Sequence, residues 1–224
     1  MVVTIDQSIS QLLPHLVLAG FSCQVKVQAS SPELKADIDL QLAQLAEQHS
    51  PESIRELEPV KATKNAYRLL GKDPNRYRPS AEALLRRVAN GRGLYDISNV
   101  VDIINVISAT TGYSIGGYDA GNIMGNVSLG IGDAEEPYVG IGRGDLNIHR
   151  LPVFRDGLSA FGSPTSDSVR TMISSRTTHF LMVFVAFDHT PGLTEALEHS
   201  VGLITRYAQG SDFGYFKVSS QSNS

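Results

Sequence analysis

Residues 99–119, NVVDIINVISATTGYSIGGYD, carry the reading that decides the fold of this chain. Val101, Ile104 and Ile107 recur at helical spacing, and Val100 and Ile103 widen the apolar face. A helix from Ser98 or Asn99 to about Ala109 is therefore expected to be buried on more than one side. Asp102 and Asn105 lie three apart on roughly one face of it, so they can address the same loop or pocket rim. After Gly112 the character changes, and a glycine-hinged turn leads through Tyr118 to Asp119.

Downstream, NVSLGIG (126–132), PYVGIGRGD (137–145), NIHRLPVF (147–154) and HFLMVFVAF (179–187) combine glycine with β-branched and aromatic residues. They read as strands of a mixed or antiparallel sheet joined by tight turns, with the run at 180–187 as a central strand. A last helix, capped by Thr190-Pro191 or Thr194, carries Leu193, Leu197, Val201 and Ile204, and a strand near 213–218 closes the chain.

Upstream, residues 16–28 read as a strand, with alternation at Cys23, Val25 and Val27. Ser31-Pro32-Glu33 opens an amphipathic helix carrying Leu34, Ile38, Leu42 and Leu45. Helices follow at 52–57 and 60–70, and RYRPSAEALLRRVANG (76–91) forms another, with Ser80 as cap and Asn90-Gly91 as stop. Helices fill much of the N-terminal half and strands the C-terminal half, which is an α+β pattern of a sheet with packed helices. Without a Pro/Ser/Gly-rich linker, residues 1–218 are expected to form a single domain with a helical elaboration at 52–92, and residues 219–224 a disordered polar tail.

The chain has 224 residues, 42% of them hydrophobic, enough for a globular core. The first positive charge is Lys26 and the longest apolar run has eight residues, so neither a leader nor a membrane partner is expected. The single cysteine, Cys23, excludes an internal disulfide and a cysteine-rich zinc site; a cytoplasmic location follows as the expectation. Net charge is −4, but residues 61–92 hold nine basic side chains against two acidic ones, so this window carries +7 and the remainder −11. Lys72, Arg76, Arg78, Arg86, Arg87 and Arg92 form a basic patch that can dock phosphates, or equally a solvated helix face or a protein-partner surface.

Many glycines invite a nucleotide-loop reading, but no GxGxxG stands between a strand and a helix and no GxxxxGK[ST] occurs, so no cofactor is expected. The segment GSPTSDSVRTMI (162–173) gathers Ser163, Thr165, Ser166, Asp167, Ser168, Arg170 and Thr171 at a turn. Its hydroxyls can hold an ester carbonyl or ribose, and Arg170 can fork onto a carboxylate or phosphate; capping by Ser166 or Asp167 is the plainer reading. His149 and His179 are the two histidines considered for a site, and no pair at ligand spacing argues for a metal.

The run VDIINVISATTGYSIGGYDAGNIMGNVSL (101–129) resembles the B3/B4 domain of the bacterial phenylalanyl-tRNA synthetase β subunit, and the likeness extends over a core at 90–187. Asp102 and Asn105 fall on that family's helix Asp and Asn, Tyr118 and Asp119 on its Phe-Asp, and Gly125 on its pre-strand glycine; Gly116 replaces its His. Ser168, Arg170 and Thr171 match a Ser-x-Arg-Thr element of freestanding relatives. The resemblance implies an α+β fold, tRNA or aminoacyl-tRNA as partner, and editing, the hydrolysis of a wrongly attached amino acid. Asp119, Glu135 or Glu136 would orient the water, with His149 or His179 standing in for the absent histidine. Aminoacylation itself is not expected. The alternative is a non-catalytic module that binds tRNA, a free amino acid or a nucleoside.

Overall fold

The computed structural model describes residues 1–188 and 190–223. The chain begins with β1 (Val3–Ile5), α1 (Gln7–Ser10), β2 (Val17–Gln24) and α2 (Pro32–Gln48), then α3 (Glu58–Leu69), α4 (Ser80–Ala89) and α5 (Asn99–Thr111). It continues through β3 (Ser114–Asp119), β4 (Val127–Ile131), the short hairpin β5 (Val139–Gly140) and β6 (Gly144–Asp145), then β7 (Pro152–Arg155) and β8 (Ala160–Gly162). It closes with β9 (His179–Ala186), α6 (Leu193–Ala208) and β10 (Ser211–Ser219).

Strand β9 explains the architecture. It pairs antiparallel with β2 on one side and β3 on the other, in a sheet of order β10-β2-β9-β3. Its Phe180, Met182, Phe184 and Ala186 join a core shared with α2, α4, α5 and α6, while Leu181, Val183, Val185 and Phe187 face a second core. That second core lies against another sheet, order β1-β4-β7-β8, whose β1–β4 pair is parallel and the rest antiparallel. A strand covered on both faces needs apolar residues at every position, and this is why 180–187 reads without alternation. The result is three layers: helices, a sheet, and a second sheet, in the mixed α+β class that the sequence pattern implies.

Helix α5 starts at the Ser98 cap and ends on Gly112 in the left-handed conformation (φ 75°). Its wide apolar face packs against α2, α4, α6 and β3 together, as burial on several sides requires. Other starts differ from expectation. Ser80 is the first residue of α4 rather than its cap, and its N–H donates to the Pro164 carbonyl at 2.8 Å. Gly192 (φ 76°), not a threonine, precedes α6. Residues 52–57 make only a 3-10 turn, at Ser53–Glu56, and of 147–154 only the last three residues are strand. At the C-terminus Ser219 closes β10 and the Ser220 N–H donates to the Leu16 carbonyl at 2.9 Å, so the tail is tied at its start; Ser224 lies outside the described residues. Among the described residues no helix is long and apolar enough to cross a membrane.

Candidate functional site

Where α5 crosses the edge strand β3, a pocket of about 200 Å³ opens between them. Helix α5 contributes Val101, Ile104, Asn105 and Ser108, β3 contributes Ile115 and Gly117, and α4 contributes Ser80 and Leu84. Gly117 is required here, because a Cβ on it would stand 2.2 Å from Ile104 Cδ1. The fourth wall is the segment after β8, with Ser163, Ser166, Asp167, Met172 and Ile173. A mostly aliphatic cleft with a few convergent polar groups is the usual form of a small-ligand site. Asn105 is half-buried in it, and no bond from another described side chain satisfies its amide.

The segment at 163–167 is held rigidly. The Ser163 hydroxyl donates to the Ser166 carbonyl (2.9 Å) and accepts the Thr165 and Ser166 N–H groups (3.3 and 3.1 Å). From the second core, the Tyr138 hydroxyl donates to the same Ser166 carbonyl (2.7 Å) and Tyr67 bonds Thr165 at 2.8 Å. Asp167 then reaches over the β3 edge, and its Oδ1 accepts the Tyr118 hydroxyl at 2.9 Å. Burial pushes the Asp167 carboxyl up to about 7, against the opposing pull of the Tyr118 hydroxyl and the Ser163 and Gly117 N–H groups. The same desolvation, with the Asp167 charge, holds the Tyr118 phenol well above its ordinary value.

Tyr118 also accounts for Gly116. A Cβ at Gly116 or Gly162 would lie 2.1 or 2.2 Å from the Tyr118 hydroxyl oxygen, so the fully buried phenol occupies the space a side chain at 116 would need. The position that carries His in the resembling pattern is empty because a tyrosine fills it from two residues on.

Most other singled-out residues have structural partners away from this pocket. Asp102 is buried and accepts the Ser30 hydroxyl and the Ile97 N–H (2.9 Å), and it lines a different cleft from Asn105, so the two do not share a pocket rim. Asp119 holds its own turn, accepting Gly121 N–H at 3.0 Å and the Thr177 hydroxyl at 2.8 Å. Glu136 forms a forked pair with Arg155 (2.8 and 2.5 Å), Glu135 is an exposed turn residue at φ 61°, and neither lines the pocket. Ser168 caps a 3-10 turn, Thr171 is fully buried against the Phe161 carbonyl, and the Arg170 fork is filled by Asp156 at 3.0 and 2.9 Å. Arg170 is thus unavailable to a ligand carboxylate or phosphate. The His149 carbonyl accepts the Lys72 ammonium at 2.6 Å, and His179, exposed at the start of β9, bonds Thr178 at 3.1 Å. Among the described residues no cluster of three His, Cys, Asp or Glu side chains stands at metal-binding distance.

The basic patch divides in the same way. Lys72 is buried, donates to the Asn147 and His149 carbonyls (3.0 and 2.6 Å) and lies over the Tyr77 ring, so it ties a loop and is not free for phosphate. Arg76 is exposed beside the same ring. Buried Glu82 faces Lys64, Arg78 and Arg86 at 3.4, 3.9 and 2.9 Å, one carboxylate against three cations. Arg78, Arg86, Arg87, Arg92 and Tyr95 line an open groove of about 400 Å³, in which Arg87 stacks 4.1 Å above the Tyr95 ring. Leu84 lines both this groove and the aliphatic pocket, so the two are neighbours across one side chain.

The fold is that of a mixed α+β domain. The B3/4 domain family model matches residues 62–213, and the chain belongs to that family. An N-terminal fragment of the phenylalanyl-tRNA synthetase β subunit from Pyrococcus horikoshii is similar in structure, at 11% identity and a TM-score of 0.46, over 97% of this chain and 54% of that one. The chain thus spans about half the length of that fragment. No curated protein matches the sequence. Sequence reasoning named Asp167 only as one polar group of its segment and as a helix cap. Its signal lies in tertiary contact, a carboxyl brought against a tyrosine from another strand.

Proposed function

We propose that this protein binds the aminoacylated 3′ end of a tRNA and hydrolyses its ester in trans, removing a wrongly attached amino acid. The observation that carries this reading is the adjacency, across Leu84, of an arginine-lined groove and a small aliphatic pocket. An aminoacyl-tRNA end needs that pair of surfaces: cations and an aromatic face for a single-stranded RNA backbone and base, and a closed apolar cleft for one amino acid. The resemblance of residues 101–129 to an editing domain supports the same substrate. Its setting would be the cytoplasm, where charged tRNA is used.

The Asn105 amide and the Ser166 hydroxyl, both from residues lining the pocket, would donate to the ester carbonyl as negative charge develops on it. The ester is intrinsically reactive, so holding water and carbonyl in register supplies much of the acceleration. Arg170, Asp119, Glu136 and His179 take no part in this scheme, because each is engaged elsewhere.

The test is incubation with a panel of correctly and incorrectly charged tRNAs, following loss of the aminoacyl ester above the uncatalysed rate. Selective deacylation of at least one mischarged member is expected. Saturable binding of tRNA or free amino acid with no deacylation anywhere in the panel would instead make this a recognition module.

A further inference from the structure

We infer that Asp167 is the general base of this site and that Tyr118 positions it. The inference rests on the hydrolase reading above and assigns its missing proton acceptor. Three geometric facts support it. Asp167 is the only carboxylate among the described residues lining the pocket, whose lining also includes Asn105. Tyr118 binds Oδ1 at 2.9 Å and the Ser163 and Gly117 N–H groups also face the carboxyl, while no other described side chain bonds to it. The carboxyl is also carried on a turn whose backbone is fixed by Ser163, Tyr138 and Tyr67.

The reaction then balances without a cofactor. The Asp167 carboxylate takes one proton from water as the oxygen attacks the ester carbonyl carbon. The Asn105 amide and Ser166 hydroxyl donate to the carbonyl oxygen. When the tetrahedral species collapses, the bond between that carbon and the ribose oxygen breaks. The protonated Asp167 returns its proton to the ribose oxygen, leaving a free hydroxyl on the tRNA and a free amino acid. A base that titrates near 7 is half-ionised at neutral pH and suits both transfers. The titratable groups facing it are Tyr118 from β3 and Tyr138 from the segment before β5; no charged side chain contributes to its shift.

The experiment measures deacylation of the preferred charged tRNA by the full chain between pH 5.5 and 8.5, with the uncatalysed rate subtracted, for wild type, Asp167→Asn and Tyr118→Phe. Wild-type kcat is expected to rise through an inflection near 7. Asp167→Asn is expected to lower kcat by about 10²–10⁴-fold with tRNA affinity unchanged. It keeps an acceptor for Tyr118 and removes a carboxylate whose ionisation burial disfavours, so at pH 8 it should melt no lower than wild type. That control separates lost chemistry from lost fold. Tyr118→Phe removes a hydrogen bond to the ionised carboxylate, so the inflection should move to higher pH, a change that a purely structural tyrosine would not produce. An Asp167→Asn enzyme within tenfold of wild type, or an unmoved inflection in Tyr118→Phe, would overturn the assignment while leaving the hydrolase reading intact. Absence of wild-type turnover on every charged tRNA would overturn both.

Discussion

Arg170→Ala is expected to cost the fold about 3 kcal/mol, because it leaves the carboxylate of Asp156, whose side chain is wholly buried, without its counter-charge. The guanidinium holds both Asp156 oxygens and also donates to the Asn122 and Ser159 carbonyls at 2.9 and 3.3 Å, clamping three loops together beneath the pocket segment. The loss should sit at the low end of the range for broken buried pairs, since the Met124, Leu158 and Ser159 N–H groups still bind the carboxylate. In a chain of this size the melting temperature should fall by about 6–12 °C. A double variant, Asp156→Asn with Arg170→Met, should recover much of that, because it removes the stranded charge.

The pH dependence of the same pair has a definite sign. Burial raises the Asp156 carboxyl, but the three N–H groups and Arg170 outweigh it, and its value lies below the ordinary 3.8. Its stabilisation is therefore complete above the unfolded value and is lost as pH falls through the folded one. Wild type should lose stability on the acid side more steeply than Arg170→Ala. Chemical denaturation at pH 7 and pH 3 checks both statements, and an Arg170→Ala protein within 1 kcal/mol of wild type at pH 7 would contradict them.

Charge reversal in the groove, Arg87→Glu with Arg92→Glu, should weaken tRNA binding by more than tenfold at low salt and reduce the slope of log K against log salt by about two. These two are chosen because Glu82 partly neutralises Arg78 and Arg86, whereas neither Arg87 nor Arg92 has a carboxylate partner among the described ion pairs. Binding of free amino acid in the pocket should be unaffected, since neither residue lines it. Titration of uncharged tRNA at several salt concentrations reads the effect. Unchanged affinity and slope would mean that the basic helices serve another surface.

The parts of the fold that were legible in sequence are those fixed by local chemistry. Ser31-Pro32 marks the start of α2, Ser98 and Gly112 bracket α5, and the unbroken apolar run at 180–187 marks a strand covered on both faces. The short β1 and its parallel pairing with β4 left no signal, because three residues and a partner 124 positions away make no local pattern. The site was legible as a region and not as a set of residues. Helical spacing singled out Asn105 together with Asp102, and of the two only Asn105 lines the pocket. Arg170 drew attention for its chemistry, yet the structure commits that chemistry to Asp156. Asp167 looked like a cap, and only the crossing of its segment over the β3 edge shows a carboxyl desolvated against Tyr118.

The claim that pocket and groove form one site is tested most directly by affinity for a single tRNA that carries its amino acid through a non-hydrolysable amide, compared with the same tRNA uncharged. Burying one apolar side chain contributes about 1.5–3 kcal/mol, so the charged form should bind at least about tenfold tighter. Equal affinity for the two forms would show that the pocket does not receive the amino acid and would contradict the account.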